Sequence, residues 1–426
     1  MFIDGLQRFL TSLRSTEIRD KIFFSLLVIV VFRALAAVPV VGITADTMAQ
    51  LSGIIGAGGT ISAVTGGVLE TASVIALGVG PYISASIILQ LLGTIVPRLE
   101  ELKKEGSSGR RVISMYTRYL AVPLAIMQAI LIYSTLRGYG LMGELELLPL
   151  VTMIATLTAG AMLMMWIGEL VTESGLGNGS SYIIFLGIVA TIPGIFSANL
   201  QSADALQMVW FFLIILGMIA VVIFITEGER RLPVTYSRRV RATGNQDSYI
   251  PVKLTQFGVM PVIFASYVLA LPTAIASFIV SPNRENVVSD RMVDFANQVL
   301  EWSNDPWVQV VVTFVLVILF CFFYVTIVFN TDEYAENLQK QGAFIPGIRP
   351  GAQTARYLRM VSFRLTTAGA LFLAILAVLP TVLVAGGVLV AAIFTGTGLL
   401  IMVNVALDMR RQYNSLVVVR SYEKYI

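Results

Sequence analysis

The chain contains no histidine and a single cysteine, and it carries few charges for its length. Without histidine, imidazole catalysis, imidazole metal ligation and histidine proton relays are excluded. The lone Cys321 lies in an apolar run, so an intrachain disulfide and a thiolate metal cluster are excluded as well. Only 13% of the 426 residues are charged and 56% are hydrophobic, whereas soluble domains are about a quarter charged. This balance indicates an integral membrane protein.

Ten apolar runs are long enough to cross a membrane, because a spanning helix needs about 20 apolar residues. They lie near 22–41, 72–93, 115–136, 150–171, 181–197, 207–226, 256–279, 307–329, 365–381 and 390–408. The fifth run is short, and the last two are hard to separate because residues 365–407 carry no charge. The sequence predicts an all-α polytopic membrane protein with about ten transmembrane helices.

Lysine and arginine are distributed very unequally between alternate loops. If the N-terminus is cytoplasmic, the inside segments hold 25 of these residues and the outside loops hold 3. Cytoplasmic loops are enriched in positive charge, so both termini are predicted to be cytoplasmic. Ten spans also permit two halves of five in opposite orientation, 22–198 and 199–409, between a segment 1–21 and a tail 410–426. No residue-level repeat between the halves is evident.

Two segments outside the spans have unusual composition. Apolar residues recur at helical spacing in 1–21, which favours an amphipathic helix on the membrane surface over a disordered leader and over a cleavable signal peptide. Segment 51–67 is apolar but contains six glycines, a poor composition for a spanning helix. Irregular backbone at membrane depth needs protein or a water-filled cavity around it. A short re-entrant element facing a pore and a plain outer loop both fit segment 51–67.

Motifs for catalysis or cofactor binding are missing. The sequence has no P-loop, no GxSxG elbow and no metal-ligand spacing, and GLGNG at 175–179 is read as a tight turn between spans four and five. Arg33 is the one charge well inside a span, and Glu169 lies at the inner edge of the fourth. An ion-coupled transporter needs polar ligands at the membrane midplane, so their scarcity argues against that class. We expect no cofactor and no metal.

Two cytoplasmic loops, 227–255 and 330–364, are long and rich in basic residues, proline and glycine. Individual arginines in them could be ordinary positive-inside flanks. The length of the loops favours folded hairpins that project from the membrane and bind an acidic partner, such as a motor protein or ribosomal RNA phosphates.

Five stretches closely resemble the bacterial SecY family, in that family's order and spacing. They are GVGPYISASIILQLL (78–92), EELKKEGSSGRRVISMYTRYL (100–120), GNGSSYIIFLGIVA (177–190), GVMPVIFAS (258–266) and AENLQKQGAFIPGIRPG (335–351). The resemblance extends from about residue 20 to 410. It implies two five-helix halves around an hourglass pore in the bacterial plasma membrane.

The family's pore has a waist of aliphatic side chains and a plug in the outer funnel. Motif by motif, the waist corresponds to Ile83, Ile87, Ile184, Ile188, Ile263 and Ile401. Each of the first two pairs has i, i+4 spacing, so both members lie on one side of a helix. The plug corresponds to 51–67, with Ile54, Ile55, Gly58, Gly59, Ile61 and Val64 as candidate sealing residues.

The resemblance also implies a lateral gate and docking sites on the basic loops. Gln90, Gln128 and Thr255 correspond to the gate; the family commonly has asparagine in place of Thr255, so a polar contact closing the gate is expected to be weaker here. Docking of the SecA motor or the ribosome is assigned to Arg238, Arg239, Arg241 and Arg349.

The function implied is a protein-conducting channel without enzymatic activity. It would pass unfolded secretory polypeptides bearing signal peptides, release membrane-protein helices sideways into lipid, and draw its driving force from SecA or the ribosome. The small membrane subunits SecE and SecG are the expected partners within the complex. The alternatives are an inverted-repeat secondary transporter and an intramembrane enzyme, and the missing midplane ligands and catalytic pairs argue against both.

Overall fold

The structure, a computed structural model, describes residues 15–40, 73–138, 145–202, 205–236, 249–255, 258–280, 290–328, 330–386 and 396–423. In chain order the described helices are α1 (Thr16–Ala36), α2 (Gly80–Ile95), α3 (Pro97–Lys104), α4 (Ser107–Gly138), α5 (Leu147–Ser174), α6 (Gly179–Ser202), α7 (Ala205–Thr226), α8 (Met260–Ile279), α9 (Asp290–Asn304), α10 (Pro306–Val328), α11 (Thr331–Lys340), α12 (Ala352–Ala385) and α13 (Gly396–Glu423). The described strands are β1 (Glu229–Pro233), β2 (Thr235–Tyr236), β3 (Tyr249–Lys253) and β4 (Ala343–Phe344).

Ten of these helices overlap the ten predicted spans, namely α1, α2, α4, α5, α6, α7, α8, α10, α12 and α13. Within the described ranges, α4, α5, α10 and α12 each satisfy the length and apolarity of a membrane span by themselves. Shorter apolar stretches lie at Gly179–Pro193, Phe212–Thr226 and Met260–Thr273, inside α6, α7 and α8. The prediction of an all-α, ten-span protein is confirmed.

The helices differ from the apolar runs at three spans. The second run contains turns over 73–79, and its helix begins only at Gly80; Gly78 has a φ of 52°, which a helix cannot accommodate. The fifth apolar run is short, as expected, and covers Gly179–Pro193, but helix α6 continues beyond it to 24 residues. That helix starts where the Asn178 side chain accepts hydrogen bonds from the backbone of Ser180 and Ser181. The helix of the ninth span, α12, begins at Ala352 rather than near 365.

The two halves repeat the same pattern of helix packing. In the first half α2 packs on α4, α4 on α5, α5 on α6, and α1 on α6. The corresponding pairs of the second half, α8 with α10, α10 with α12, α12 with α13, and α7 with α13, are also in contact. This repeat supports two equivalent halves although the sequence shows no internal repeat.

The halves meet along a small number of helices. Contacts between the halves include α6 with α13, α4 with α8, and Gln412 of α13 with the turn after α5. At that turn the backbone N–H of Gly177, whose φ is 90°, donates to the Gln412 side chain of α13. The GLGNG stretch is therefore a tight turn, as predicted, and it also joins the first half to the last helix.

The two basic loops fold together into one unit, called here the hairpin unit, formed by β1–β4 and α11. β1 pairs antiparallel with β3, and β2 pairs antiparallel with β4, so the second pairing joins one loop to the other. A small core lies beneath: Leu232, Val234, Val252, Ala343, Ile345, Leu358 and Val361. The prediction of a folded hairpin holds for 227–255. In 330–364 the chain instead forms a helix, a two-residue strand and the start of α12.

An irregular but buried segment, 73–79, lies against the first-half helices. Ile75, Ala76, Leu77 and Val79 are all buried, and the segment's backbone is satisfied by turns and by a hydrogen bond from Val74 N to Val38 O of 3.0 Å. Gly160 of α5 allows this close approach, because a Cβ there would overlap the Val74 carbonyl oxygen. Non-helical backbone at membrane depth is thus enclosed by protein.

Gly160→Ala should lower the stability of the fold, because the added methyl must displace backbone and overpacking costs about 1–3 kcal/mol. Gly217→Ala in α7 is the matched control, since nothing lies within 4 Å of a Cβ built there. Thermal unfolding in detergent should show a lower midpoint for the first variant and an unchanged or higher midpoint for the second. Equal midpoints would contradict the close packing at Gly160.

Candidate functional site

The six isoleucines selected from the sequence all lie at the centre of the bundle. Ile83 and Ile87 belong to α2, Ile184 and Ile188 to α6, Ile263 to α8 and Ile401 to α13. Each is only 3–7% exposed, and all six belong to one contiguous cluster of buried side chains. The structure therefore brings together residues that are separated by more than 300 positions in the sequence.

The four contributing helices occupy equivalent places in the two halves. α2 and α6 are the second and fifth spans of the first half, and α8 and α13 are the second and fifth of the second. The i, i+4 spacing places Ile83 with Ile87, and Ile184 with Ile188, on one side of each helix. By contrast Ile88, one residue after Ile87, is 37% exposed. Ile87 is therefore on the buried side of α2, and Ile88 is on its exposed side.

The chemistry available at this centre is apolar contact. Isoleucine offers neither a donor nor an acceptor, so a constriction formed by it gives water and ions no hydrogen bonds. Among the described residues no group of three or more cysteines, aspartates or glutamates is arranged to hold a metal ion. A constriction formed by isoleucine side chains can exclude ions and can still widen for a polypeptide.

One of the predicted gate residues, Gln128, lies where α2, α4 and α8 meet. Gln128 Nε2 of α4 donates to Ser84 Oγ of α2 at 3.4 Å. A Cβ built on Gly80 would lie 3.0 Å from the Tyr267 hydroxyl oxygen of α8 and 3.6 Å from Gln128 Oε1. Polar side chains from both halves therefore approach one another at this junction.

The other two gate candidates are placed differently. Gln90 Nε2 donates to Ser86 Oγ of its own helix at 3.2 Å. Thr255 is buried before α8, and its hydroxyl has no hydrogen-bond partner. The structure thus brings Gln128 to the contact between the halves and gives Thr255 no polar contact with it.

Sequence reasoning missed Ser84 and Tyr267. A signal for Tyr267 was available, because it follows Ile263 by four residues and so lies on the same side of α8. The sequence offered no such signal for Ser84, since its contact with Gln128 joins positions that are 44 residues apart.

Arg33 and Glu169, the two charged residues noted within or at the edge of a span, both have partners. Arg118 Nε of α4 donates to Glu169 Oε1 of α5 at 2.7 Å. Arg33 donates to the Ala190 carbonyl oxygen of α6 at 3.2 Å. Both interactions tie helices of the first half together, so these charges act as structural contacts.

Arg349 lies on a solvent-exposed turn between β4 and α12. Gly347 and Gly351 on either side have φ values of 82° and 96°, and the Arg349 carbonyl accepts a hydrogen bond from Thr354 Oγ1 at 3.0 Å. The backbone is fixed while the guanidinium remains exposed. Arg238, Arg239 and Arg241 lie outside the described residues, as do all six plug candidates.

Charged groups also link α13 to the end of α7, from which the chain enters the hairpin unit. Arg410 of α13 pairs with Glu227 at 3.5 Å, and Arg411 donates to the Thr226 carbonyl oxygen at 3.2 Å. Burial lowers the pKa of Lys253 in β3, and the neighbouring Arg411 lowers it further. The end of α7, which leads into β1, is therefore fixed to the last helix by charged contacts.

Known proteins provide an independent comparison. The sequence model of the SecY family matches residues 73–410. The protein translocase subunit SecY of Mycobacterium tuberculosis is 40% identical, covering 99% of this chain and 100% of the relative. The SecY of Streptomyces galbus is 38% identical with the same coverage.

Solved structures share the fold. A SecY whose plug domain was studied aligns with a TM-score of 0.67 at 18% identity, covering 94% of this chain and 93% of that one. Canine Sec61 from a ribosome–channel complex aligns with a TM-score of 0.61 at 18% identity, with the same coverage of both chains. Since the family sequence model matches most of the chain and full-length relatives reach 40% identity, this chain belongs to the SecY family.

Proposed function

We propose that this chain forms the protein-conducting channel of a Sec translocase, passing unfolded secretory polypeptides across the membrane. The observation that carries the proposal is the buried isoleucine cluster, to which equivalent helices of both halves contribute. A secondary transporter would need polar ligands at the midplane, and the relatives are translocase subunits. The driving force comes from outside the chain, from a bound motor ATPase or a ribosome.

In this proposal the six isoleucines form the waist of the pore. Their low exposure corresponds to a closed state, in which a water molecule barely reaches them. The segment 51–67 acts as a plug on the outer side of the waist. Its glycine content makes it too weak a helix former to be held by its own backbone, so packing would hold it and a passing chain would displace it.

The junction of α2, α4 and α8 acts as the lateral gate. α4 and α8 come from different halves and are in contact, so separating them opens a path from the centre towards lipid. Gln128, Ser84 and Tyr267 place polar groups at this contact. A signal sequence entering there would replace a contact between helices by its own apolar face, and membrane-protein helices would leave by the same route.

The hairpin unit is the proposed docking surface for SecA or the ribosome on the cytoplasmic side. Its exposed arginines suit an acidic partner. We further propose that the complex contains SecE and SecG and lies in a bacterial plasma membrane with both termini cytoplasmic. The excess of lysine and arginine on the side of the hairpin unit supports this orientation.

The orientation can be tested by labelling two glutamines that are both exposed, Gln339 in α11 and Gln298 in α9. Each is replaced by cysteine in a variant that carries Cys321→Ser. A membrane-impermeant maleimide added outside intact cells should label position 298 and leave position 339 unlabelled until the membrane is permeabilised. Labelling of position 339 from outside intact cells would contradict the predicted orientation.

The waist predicts a change in ion leakage. Ile87→Ser combined with Ile188→Ser should raise the resting conductance of the reconstituted complex, because hydroxyls allow water to wet the constriction. Ile88→Ser is the matched control, since this isoleucine is on the same helix but faces outward. Bilayer currents that stay unchanged in the double variant would remove these residues from the waist.

If the exposed turn at Arg349 binds the motor, substitution of Arg349 should uncouple the motor from translocation. Arg349→Ala should abolish most motor-driven translocation while protein level and unfolding midpoint stay unchanged, because exposed substitutions shift stability by about 0.5 kcal/mol or less. Arg356→Ala, also exposed and close in sequence, is the control. Equal and mild effects of the two changes would leave Arg349 as an ordinary positive-inside residue.

A further inference from the structure

Helix α9 has an apolar surface that the bundle covers only in part. It connects α8 to α10 and packs against both. Because α8 begins and α10 ends next to the hairpin unit, α9 lies at the opposite end of these two spans. Its sequence, DRMVDFANQVLEWSN, has a single basic residue and three acids.

One side of α9 faces the protein. Val293, Ala296 and Leu300 recur at spacings of three and four, so they share one side of the helix. Ala296 is 1% exposed, and the other two are partly buried. These residues account for the packing on α8 and α10.

A second apolar side lies next to the first and is uncovered. Met292, Phe295 and Trp302 recur at spacings of three and seven and are 56%, 64% and 54% exposed. The polar residues Asp294, Asn297, Gln298 and Glu301 form the remaining arc of the helix. An exposed cluster of methionine and aromatic side chains indicates a contact that the isolated chain does not provide.

The spanning helix that follows α9 has an exposed apolar stripe that faces lipid in the membrane. On α10, Trp307, Val311, Val315 and Leu319 follow one another at intervals of four and are each more than half exposed. Trp307 lies where this stripe and the span begin, and Trp302 of α9 precedes it closely in the chain. Tryptophan is enriched at that depth because its ring is apolar and its N–H can reach water.

We propose that α9 is an interfacial anchor, whose Met292, Phe295 and Trp302 side inserts into the lipid leaflet on the side opposite the hairpin unit. The helix lies parallel to the membrane with its acidic arc in water. Because its charge is net negative, apolar insertion holds it and attraction to anionic lipid does not. Through its contacts with α8 and α10, the anchor fixes the depth of two spans, one of which meets α4 of the other half.

Fluorescence quenching tests this placement on the whole protein in lipid nanodiscs. Trp302 is kept as the sole tryptophan by replacing Trp166, Trp210 and Trp307 with phenylalanine. Lipids brominated near the headgroup end of the chains should quench Trp302 more than lipids brominated near the chain end, and iodide in water should quench it weakly. Replacing neutral lipid by anionic lipid should leave the quenching unchanged.

Two charge insertions provide the matched pair. Phe295→Glu should reduce quenching by brominated lipid and increase quenching by iodide, whereas Asn297→Glu on the polar arc should change neither. Near-equal unfolding midpoints would show that both variants are folded. Strong iodide quenching without the substitution would mean that the face is in water. Failure of both quenchers would mean that another protein covers it, and a requirement for anionic lipid would mean that charge holds it. Each of these results overturns the anchor.

Discussion

The structure of this bundle depends on apolar burial, because buried side chains from both halves form one contiguous cluster. In the proposed channel, six isoleucines of that cluster close the pore. A closure of this kind excludes ions and water because it offers them no hydrogen bonds. It can still open for a polypeptide, because no specific bonds have to be broken. The same contact would be unremarkable inside a soluble core. In the proposed channel, the isoleucines belong to equivalent helices of the two halves, so their contact forms a barrier that opens when the halves separate.

The centre of the bundle can open only if each half stays intact while the contacts between the halves change. Within the first half, the Arg118–Glu169 pair and the Arg33 contact with α6 hold helices together. Between the halves, the described contacts are fewer, at α4 with α8 and α6 with α13 among others. The turn at Gly177, bonded to Gln412, keeps the first half joined to α13. Helix packing therefore favours motion at the α4–α8 junction over disruption of either half.

The hairpin unit joins two parts of the chain that are distant in sequence. Its core is shared between the loops 227–255 and 330–364, and the β2–β4 pair joins them. The contacts of Glu227 and Thr226 with Arg410 and Arg411 connect the end of α7, which β1 follows in the chain, to α13, the helix that carries Ile401. In the proposed channel, a partner bound near Arg349 acts on α13 through this connection.

Hydropathy predicted the ten spans because spanning helices leave strong local patterns. Family motifs selected six isoleucines that all lie in one buried cluster, and their role as a pore waist stays a prediction. The turns at 73–79 escaped prediction because their apolar composition equals that of a helix, and only Gly78 and Gly80 distinguish them. The β2–β4 pair involves two residues on each side and depends on long-range contact. The Tyr267 contact required the two halves to be placed together. The amphipathic spacing in α9 was present in the sequence but was obscured by its position in an outer loop.

The central claim is that a polypeptide in transit passes the isoleucine cluster. A secretory chain stalled by a folded C-terminal domain, carrying one cysteine in its translocating part, can be oxidised against single cysteines in a Cys321→Ser background. Ile188→Cys should form a disulfide with the stalled chain, and Leu213→Cys, which is 58% exposed on α7, should not. Cross-linking to position 213 and none to position 188 would contradict a path through the centre of the bundle.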